Sequence, residues 1–102
     1  MESKHSSNTM SLLYQWYFEQ CNGHWEHEYG IVIQTIDNPG WQVVIDLHHT
    51  DLENYEISWS LTKENDTNWY GYKIENKQFF GAGDYTKLET IVDCFLQILK
   101  ES

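Results

Sequence analysis

The sequence predicts an α+β domain in which an N-terminal and a C-terminal helix flank an antiparallel sheet of four to five strands. Three observations favour this fold class. Apolar residues recur with a helical period near both ends of the chain, and they recur with a strand period of two in its middle. A turn sequence, Asp37-Asn38-Pro39-Gly40, separates two runs of β-branched residues. We therefore expect the order α-β-β-β-β-α.

A chain of 102 residues has the size of one domain. We expect residues 1–9 to form a disordered tail and residues 10–102 to form a single α+β domain. The first helix is expected to begin with Thr9 or Ser11 as its N-cap and to end near Gln20.

Glycine and capping residues predict where the two helices end and begin. Asn22-Gly23 should terminate the first helix, because glycine adopts the left-handed conformation at low cost. Thr86-Lys87-Leu88-Glu89 has the pattern of a capping box and should begin the last helix. One apolar stripe then follows, formed by Leu88, Ile91, Val92, Phe95, Leu96 and Leu99.

The strands are predicted from β-branched content and alternation. Residues 31–36 and 41–47 should pair as an antiparallel hairpin across the Asp37–Gly40 turn. Residues 55–61 should form a half-buried strand and residues 69–75 the next one. A short edge strand at residues 78–80 would be the fifth.

The charge balance limits the classes of partner. Sixteen Asp and Glu residues face six Lys and no Arg, which gives a formal net charge of −10 with His neutral. Such a surface repels phosphate backbones and anionic membranes, so we expect neither nucleic acid nor membrane as a partner. It favours a basic protein partner. The alternative is that the acidity serves solubility alone.

Cysteine usage and the chain's hydropathy indicate a cytoplasmic protein. Cys21 and Cys94 form neither a C-x-x-C motif nor a disulfide framework, so both should be free thiols. The polar residues 1–9 lack the apolar segment of a signal peptide, and no segment approaches the ~20 apolar residues of a membrane span.

The densest cluster of potential chemistry is His24-Trp25-Glu26-His27-Glu28, together with His48-His49. Imidazoles and carboxylates are ligands of zinc and iron. The H-E-x-x-H arrangement on a helix is absent, and we assign His24 and His27 to a loop. We expect no metal, no cofactor and no catalytic residue. A small metal-dependent enzyme that uses His24, His27 or His48 remains the alternative.

Acidic residues concentrate in the middle of the chain. If Tyr55, Ile57, Trp59 and Leu61 face the core, Glu56 lies on the opposite, solvent-facing side of that strand. Carboxylates bordered by an exposed aromatic side chain form a plausible protein-binding surface, and a merely solvated face is the alternative. The predicted partner-binding residues are Glu26, Asp46, Asp51, Glu53, Glu56 and Trp41.

A specific string of residues runs through the chain. It consists of Trp16-Tyr17, Gln20-Cys21-Asn22-Gly23, Trp25-Glu26-His27, Tyr29-Gly30-Ile31 and Asp37-Asn38-Pro39-Gly40-Trp41, followed by Ile45-Asp46-Leu47, Trp69, Phe80-Gly81-Ala82-Gly83 and the terminal helix. With this string the chain resembles the Imm53 family of bacterial immunity proteins, from about residue 12 to the end. The resemblance implies a cytoplasmic protein, encoded beside a polymorphic toxin, that neutralises this toxin in the producing cell without catalysis.

Three hypotheses follow. The first is an immunity protein whose acidic surface binds a basic toxin domain. The second is the metal-dependent enzyme described above. The third is an inhibitor whose carboxylates imitate the phosphate spacing of a nucleic acid. The sequence leaves the toxin's identity and the oligomeric state open.

Overall fold

The computed structural model describes the backbone of residues 4–102 and the side chains of residues 8–102. The elements in chain order are α1 (Lys4–Gln20), α2 (Trp25–Glu28), β1 (Ile31–Ile36), β2 (Gly40–Asp46), β3 (Ile57–Asn65), β4 (Asn68–Glu75), β5 (Gln78–Asp84) and α3 (Leu88–Glu101). The predicted α+β class, with helices at both ends of an antiparallel sheet, is confirmed. Within residues 4–102, no helix has the length and apolar character that crossing a bilayer requires.

The five strands form one sheet in the order β1-β2-β5-β4-β3, and every neighbouring pair is antiparallel. The predicted hairpin is confirmed as β1–β2, with Ile36 opposite Gly40. Helix α3 packs against the three central strands, and α1 packs against α3. Both helices therefore cover the same face of the sheet, and β1 and β3 are its two edges.

The core lies between α3, α1 and the central strands. Phe95 of α3 contacts Phe79 of β5 at a ring-centroid distance of 5.3 Å and Trp16 of α1 at 4.9 Å. Gly81 lets α3 approach β5, because a Cβ there would overlap the Cγ2 atom of Ile91. The buried part of the predicted α3 stripe is Ile91, Val92 and Phe95.

The first helix starts earlier than the sequence predicts. Residues 4–9, predicted as part of a tail, lie within α1, and residues 1–3 lie outside the described part of the chain. Thr9 is not an N-cap: it is buried, and its hydroxyl donates a hydrogen bond of 2.8 Å to Asp93 of α3. The contact of Thr9 with α3 therefore places this residue inside the helix and not at its start.

The predicted capping box of the last helix is wrong. The cap position is Lys87, and no side chain caps it. The Thr86 hydroxyl donates instead to the Asp84 carboxylate at 2.6 Å. Asp84 is buried and also accepts hydrogen bonds from the Thr86 and Trp69 backbone N–H groups and from Lys87. A buried carboxylate needs these donors, and it outcompetes the cap.

The predicted alternation along the third strand holds only at its start. Ile57 pairs with Ile74 and contacts the core. A register shift between Ile57 and Ser60 then reverses the faces of the strand. Trp59 and Leu61 therefore lie on the face without helices, where they are 45% and 50% exposed. The assignment of these two residues to the core is wrong.

Gly40, the last residue of the predicted turn sequence, is required by the sheet and not by the turn. Its φ is not positive, since Gly23 is the glycine with a left-handed φ among residues 4–102. A Cβ at Gly40 would instead overlap the carbonyl oxygen of Gly83, its neighbour on β5. Gly40 is therefore required for close approach of two strands, and the turn itself needs no left-handed residue at this position.

Candidate partner-binding site

The chain between β2 and β3, residues 47–56, forms a well-anchored loop that we call the carboxylate loop. Leu47 and Leu52 are fully buried and attach the loop to the core. Thr50 closes its first turn: the hydroxyl donates to the Leu47 carbonyl at 2.8 Å and accepts from the Leu52 N–H at 3.2 Å. The Tyr55 N–H donates to the Leu52 carbonyl and closes the last turn. These anchors hold the loop in one conformation.

The carboxylates of this loop point away from the core. Asp51 and Glu56 are exposed and Glu53 is half-buried. Among the side chains of residues 8–102, none of the three forms an ion pair. No ion pair within the described side chains therefore offsets these carboxylates.

The β4–β5 turn, Asn76-Lys77, packs against the carboxylate loop. Glu75 and Gln78 pair across it, and both turn residues have positive φ values, 55° and 62°. This is the geometry of a type I′ hairpin turn. The Lys77 carbonyl accepts a hydrogen bond of 2.8 Å from the Leu47 N–H. The turn and the loop together enclose a groove of about 380 Å³, lined by His48, Glu53, Asn54, Tyr55, Glu56, Asn76 and Lys77.

The predicted loop around the histidines contains a short helix, α2. The Asn22 side-chain oxygen accepts hydrogen bonds from the His24 and Trp25 N–H groups. The Glu26 carboxylate returns to the Asn22 and Gly23 N–H groups, at 2.9 Å each. Reciprocal side-chain to backbone bonds of this kind stabilise a helical start, which explains why the segment is helical.

Aromatic stacking connects α2 to the carboxylate loop. The indole N–H of Trp25 donates to the His48 carbonyl at 2.8 Å. The His48 ring stacks on Tyr29 with a centroid distance of 4.6 Å and an interplanar angle of 9°. The His48 Nδ1 atom is buried and has no hydrogen-bond partner among the described residues. His48 therefore has a packing role between the loop and α2.

The histidines do not assemble with carboxylates into a metal centre within the described chain. His24 and His27 are exposed on α2 and its N-terminal side. In residues 8–102, no group of three His, Cys, Asp or Glu side chains is placed to hold a metal ion. A zinc site needs three or four such ligands around one point.

A family model described as immunity protein 53, Imm53, matches residues 10–100. The chain belongs to the Imm53 family. No curated protein and no solved structure gives a significant match to it. The match covers α2, the sheet, the carboxylate loop and α3, so the candidate site lies within the Imm53 domain.

Two of the predicted partner-binding carboxylates of this Imm53 protein accept internal hydrogen bonds. Backbone N–H groups, its own and those of Asn22 and Gly23, hold the pKa of Glu26 below its usual value. Asp46 accepts hydrogen bonds from the Gly30 N–H at 3.0 Å and from the Gln78 amide at 2.8 Å. Both carboxylates therefore hold neighbouring segments together.

Trp41 lies apart from the carboxylate loop. It pairs with Gly83, whereas Asp46 at the other end of β2 pairs with Gln78. Five residues of strand separate the two positions by ~17 Å. The Trp41 indole N–H donates to the Tyr85 carbonyl at 3.0 Å, and its ring contacts the core. The structure thus brings Asp51, Glu53 and Glu56 together on one loop and leaves Trp41 near the opposite end of β2.

Lys77 and Tyr29 also belong to this region, although the sequence does not mark either of them. Nothing in the local pattern marks Lys77, because a lysine in a two-residue turn with two positive φ values is unusual. Tyr29 follows the histidine cluster directly, but only the fold stacks it on His48.

Proposed function

We propose that this Imm53 protein neutralises a cognate toxin in the cytoplasm of the producing cell by binding it through the carboxylate loop. Family membership supports the toxin as the class of partner. The observation that carries the choice of surface is the position of Asp51, Glu53 and Glu56 on one anchored loop without internal ion pairs among the described side chains.

The carboxylates of the loop differ from those that lysines neutralise elsewhere in the chain. Three lysines elsewhere are paired with carboxylates, Lys63 with Asp66, Lys73 with Glu75 and Lys87 with Asp84. These pairs neutralise their own carboxylates locally. The carboxylates of the loop instead add to the chain's net charge of −10, and their field extends into solvent.

The loop is also suited to binding because it is ordered before the partner arrives. Leu47 and Leu52 anchor both halves of it, and the Lys77 carbonyl holds its start. A preorganised loop loses little conformational entropy on binding, so more of the interaction energy appears as affinity. Basic residues around a toxin's active site would meet fixed acceptors, and occupation of that site would block the substrate.

The test measures binding of the toxin encoded beside this protein to two triple variants of equal charge. The site variant carries Asp51→Asn, Glu53→Gln and Glu56→Gln. The control variant neutralises three exposed carboxylates elsewhere, with Asp37→Asn, Glu64→Gln and Glu19→Gln. The site variant should lower the association rate constant by about 10-fold or more and flatten its salt dependence. The control should change it by no more than about 3-fold.

An equal decrease of the association rate constant in both variants would show that net charge alone matters, and the proposed surface would be wrong. Binding that is insensitive to salt in the unmodified protein would also contradict the electrostatic mechanism. Thermal denaturation of both variants checks that the fold is intact. We expect it to be intact, because Leu47, Thr50 and Leu52, which anchor the loop, are unchanged.

A further inference from the structure

One edge of the sheet carries unused backbone hydrogen-bonding groups. Strand β1 pairs only with β2 among the described strands. The Gly30 carbonyl points at β2, since it accepts a hydrogen bond of 3.0 Å from the Asp46 N–H. Hydrogen-bonding direction alternates along an antiparallel strand, so the N–H and C=O groups of Ile31, Ile33 and Thr35 point away from β2.

The two edges of the sheet differ in their protection against pairing. Strand β3 contains two register shifts and the charged residues Lys63 and Glu64. Bulges and charges of this kind prevent an edge from pairing with another chain. Strand β1, with the sequence IVIQTI, has no charge, no proline and no register shift against β2. It is an open edge.

The charge distribution allows a second copy to occupy this edge. In a chain of net charge −10, two copies repel each other wherever carboxylates face carboxylates. Residues 29–36 are free of charge, and Glu28 and Asp37 lie beyond the two ends. If β1 pairs antiparallel with itself around Ile33, Asp37 of one copy faces Tyr29 of the other. No carboxylate then faces another across the strand pair.

The surface next to β1 supplies apolar area for such a contact. Helix α1 and β1 border a groove of about 460 Å³, which includes Tyr14, Tyr17 and Ile33. Tyr14 and Tyr17 are 63% and 38% exposed. At roughly 200 Å² for a whole aromatic side chain, their exposed parts amount to about 200 Å². This is about a quarter of the roughly 800 Å² per partner in a standard interface, before the strand itself is counted.

We propose that two copies of this chain associate through antiparallel pairing of their β1 strands, centred on Ile33, and form one continuous sheet across a two-fold axis. In this register Ile31 faces Thr35 of the second copy and Ile33 faces its own counterpart. All the outward N–H and C=O groups of the three residues are then paired. The α1 aromatic side chains lie on the same side of the sheet as Ile33 and extend the contact.

The test is the molar mass in solution, measured by light scattering across a concentration series. The unmodified protein should approach twice the chain mass of 12.2 kDa. Ile33→Lys places two ammonium groups opposite each other at the axis and should raise the dimer dissociation constant by roughly 100-fold or more. Leu61→Lys is the matched control, because it adds the same charge to an exposed apolar residue of the other edge strand. It should leave the dimer unchanged.

A mixing experiment separates the proposed interface from misfolding. Ile33→Lys and Ile33→Glu should each be monomeric alone and should form a dimer when mixed, because opposite charges then meet at the axis. Thr35→Pro is a second disrupting variant, since it removes an N–H that points away from β2 and leaves the β1–β2 ladder in place.

A chain that is monomeric at all concentrations overturns the proposal. Dimerisation that survives both Ile33→Lys and Thr35→Pro overturns it as well, because the contact would lie elsewhere.

Discussion

Substitution of Gly81 by alanine tests the direct packing of α3 on β5, on which the whole architecture depends. A Cβ at Gly81 would overlap the Cγ2 atom of Ile91 and lie 3.2 Å from the Phe79 ring. Ile91 is 1% exposed and Phe79 is fully buried, so neither side chain can move into solvent. Overpacking of a close-packed core costs about 1–3 kcal/mol. Alanine recovers about 0.5–1 kcal/mol, because glycine loses more backbone entropy on folding. We expect Gly81→Ala to lower the free energy of unfolding by about 1–2 kcal/mol.

A double-mutant cycle identifies Ile91 as the cause. Ile91→Ala alone should cost about 2–5 kcal/mol, because it leaves a cavity in the core. In that background the methyl group added at position 81 fills part of the cavity, so Gly81→Ala should be neutral or stabilising. Urea denaturation followed by tryptophan fluorescence measures each variant, since Trp16 contacts Phe95 in the same core. Gly30→Ala is the control, because a Cβ at Gly30 meets nothing within 4 Å.

The cycle can refute the reasoning. If the effects of Gly81→Ala and Ile91→Ala add within about 0.5 kcal/mol, the two positions are energetically independent. The close approach of α3 to β5 at Gly81 would then be wrong.

Three further predictions concern single residues. Lys77→Gly should raise the free energy of unfolding by about 1 kcal/mol, because Lys77 has a φ of 62° that glycine adopts without strain. Thermal or urea denaturation measures this change, and an unchanged or lower free energy of unfolding would contradict this turn geometry. Burial raises the pKa of Asp84, but hydrogen bonds, led by that from Lys87, outweigh it and hold the pKa well below its usual value. The stability that Asp84 contributes is therefore complete above the unfolded-state pKa of about 3.9 and is lost as the pH falls below it. The free energy of unfolding of Asp84→Asn, measured in acid, should therefore depend less on pH than that of the unmodified protein. Burial, with a smaller contribution from the Asp93 charge, raises the pKa of Cys94 from 9.0 to about 11. Its thiolate fraction near pH 8 is then ~100-fold lower than in the unfolded chain, and mass spectrometry should find alkylation slower by a similar factor.

The candidate site was only partly predictable. The three carboxylates Asp51, Glu53 and Glu56 lie within six residues of sequence, so their proximity is local. Glu26 and Asp46 are equally acidic in sequence, but in the fold they accept internal hydrogen bonds. Whether a carboxylate meets a partner or a neighbouring N–H depends on which segments the fold places beside it. Composition contains no information on that choice.

The edges of the sheet illustrate the same limit. The sequence predicts β1 from β-branched content and β3 from apolar alternation. It places the edge wrongly at residues 78–80, because the order β1-β2-β5-β4-β3 arises when β5 inserts between β2 and β4. Nor does it predict the register shift that moves Trp59 and Leu61 to the open face.

The sequence by itself determined the α+β class, the β1–β2 hairpin, the apolar stripe of α3 and the acidic net charge. The first three depend on the period of apolar side chains along individual segments, and the net charge is the sum of the charged residues over the chain. Only the tertiary structure decided that Asp84, buried against Trp69, takes the Thr86 hydroxyl away from the predicted helix cap. It also decided that the carboxylate loop meets the Asn76-Lys77 turn. Buried polar groups must be satisfied by whatever the fold brings near them, and that requirement overrides local preference.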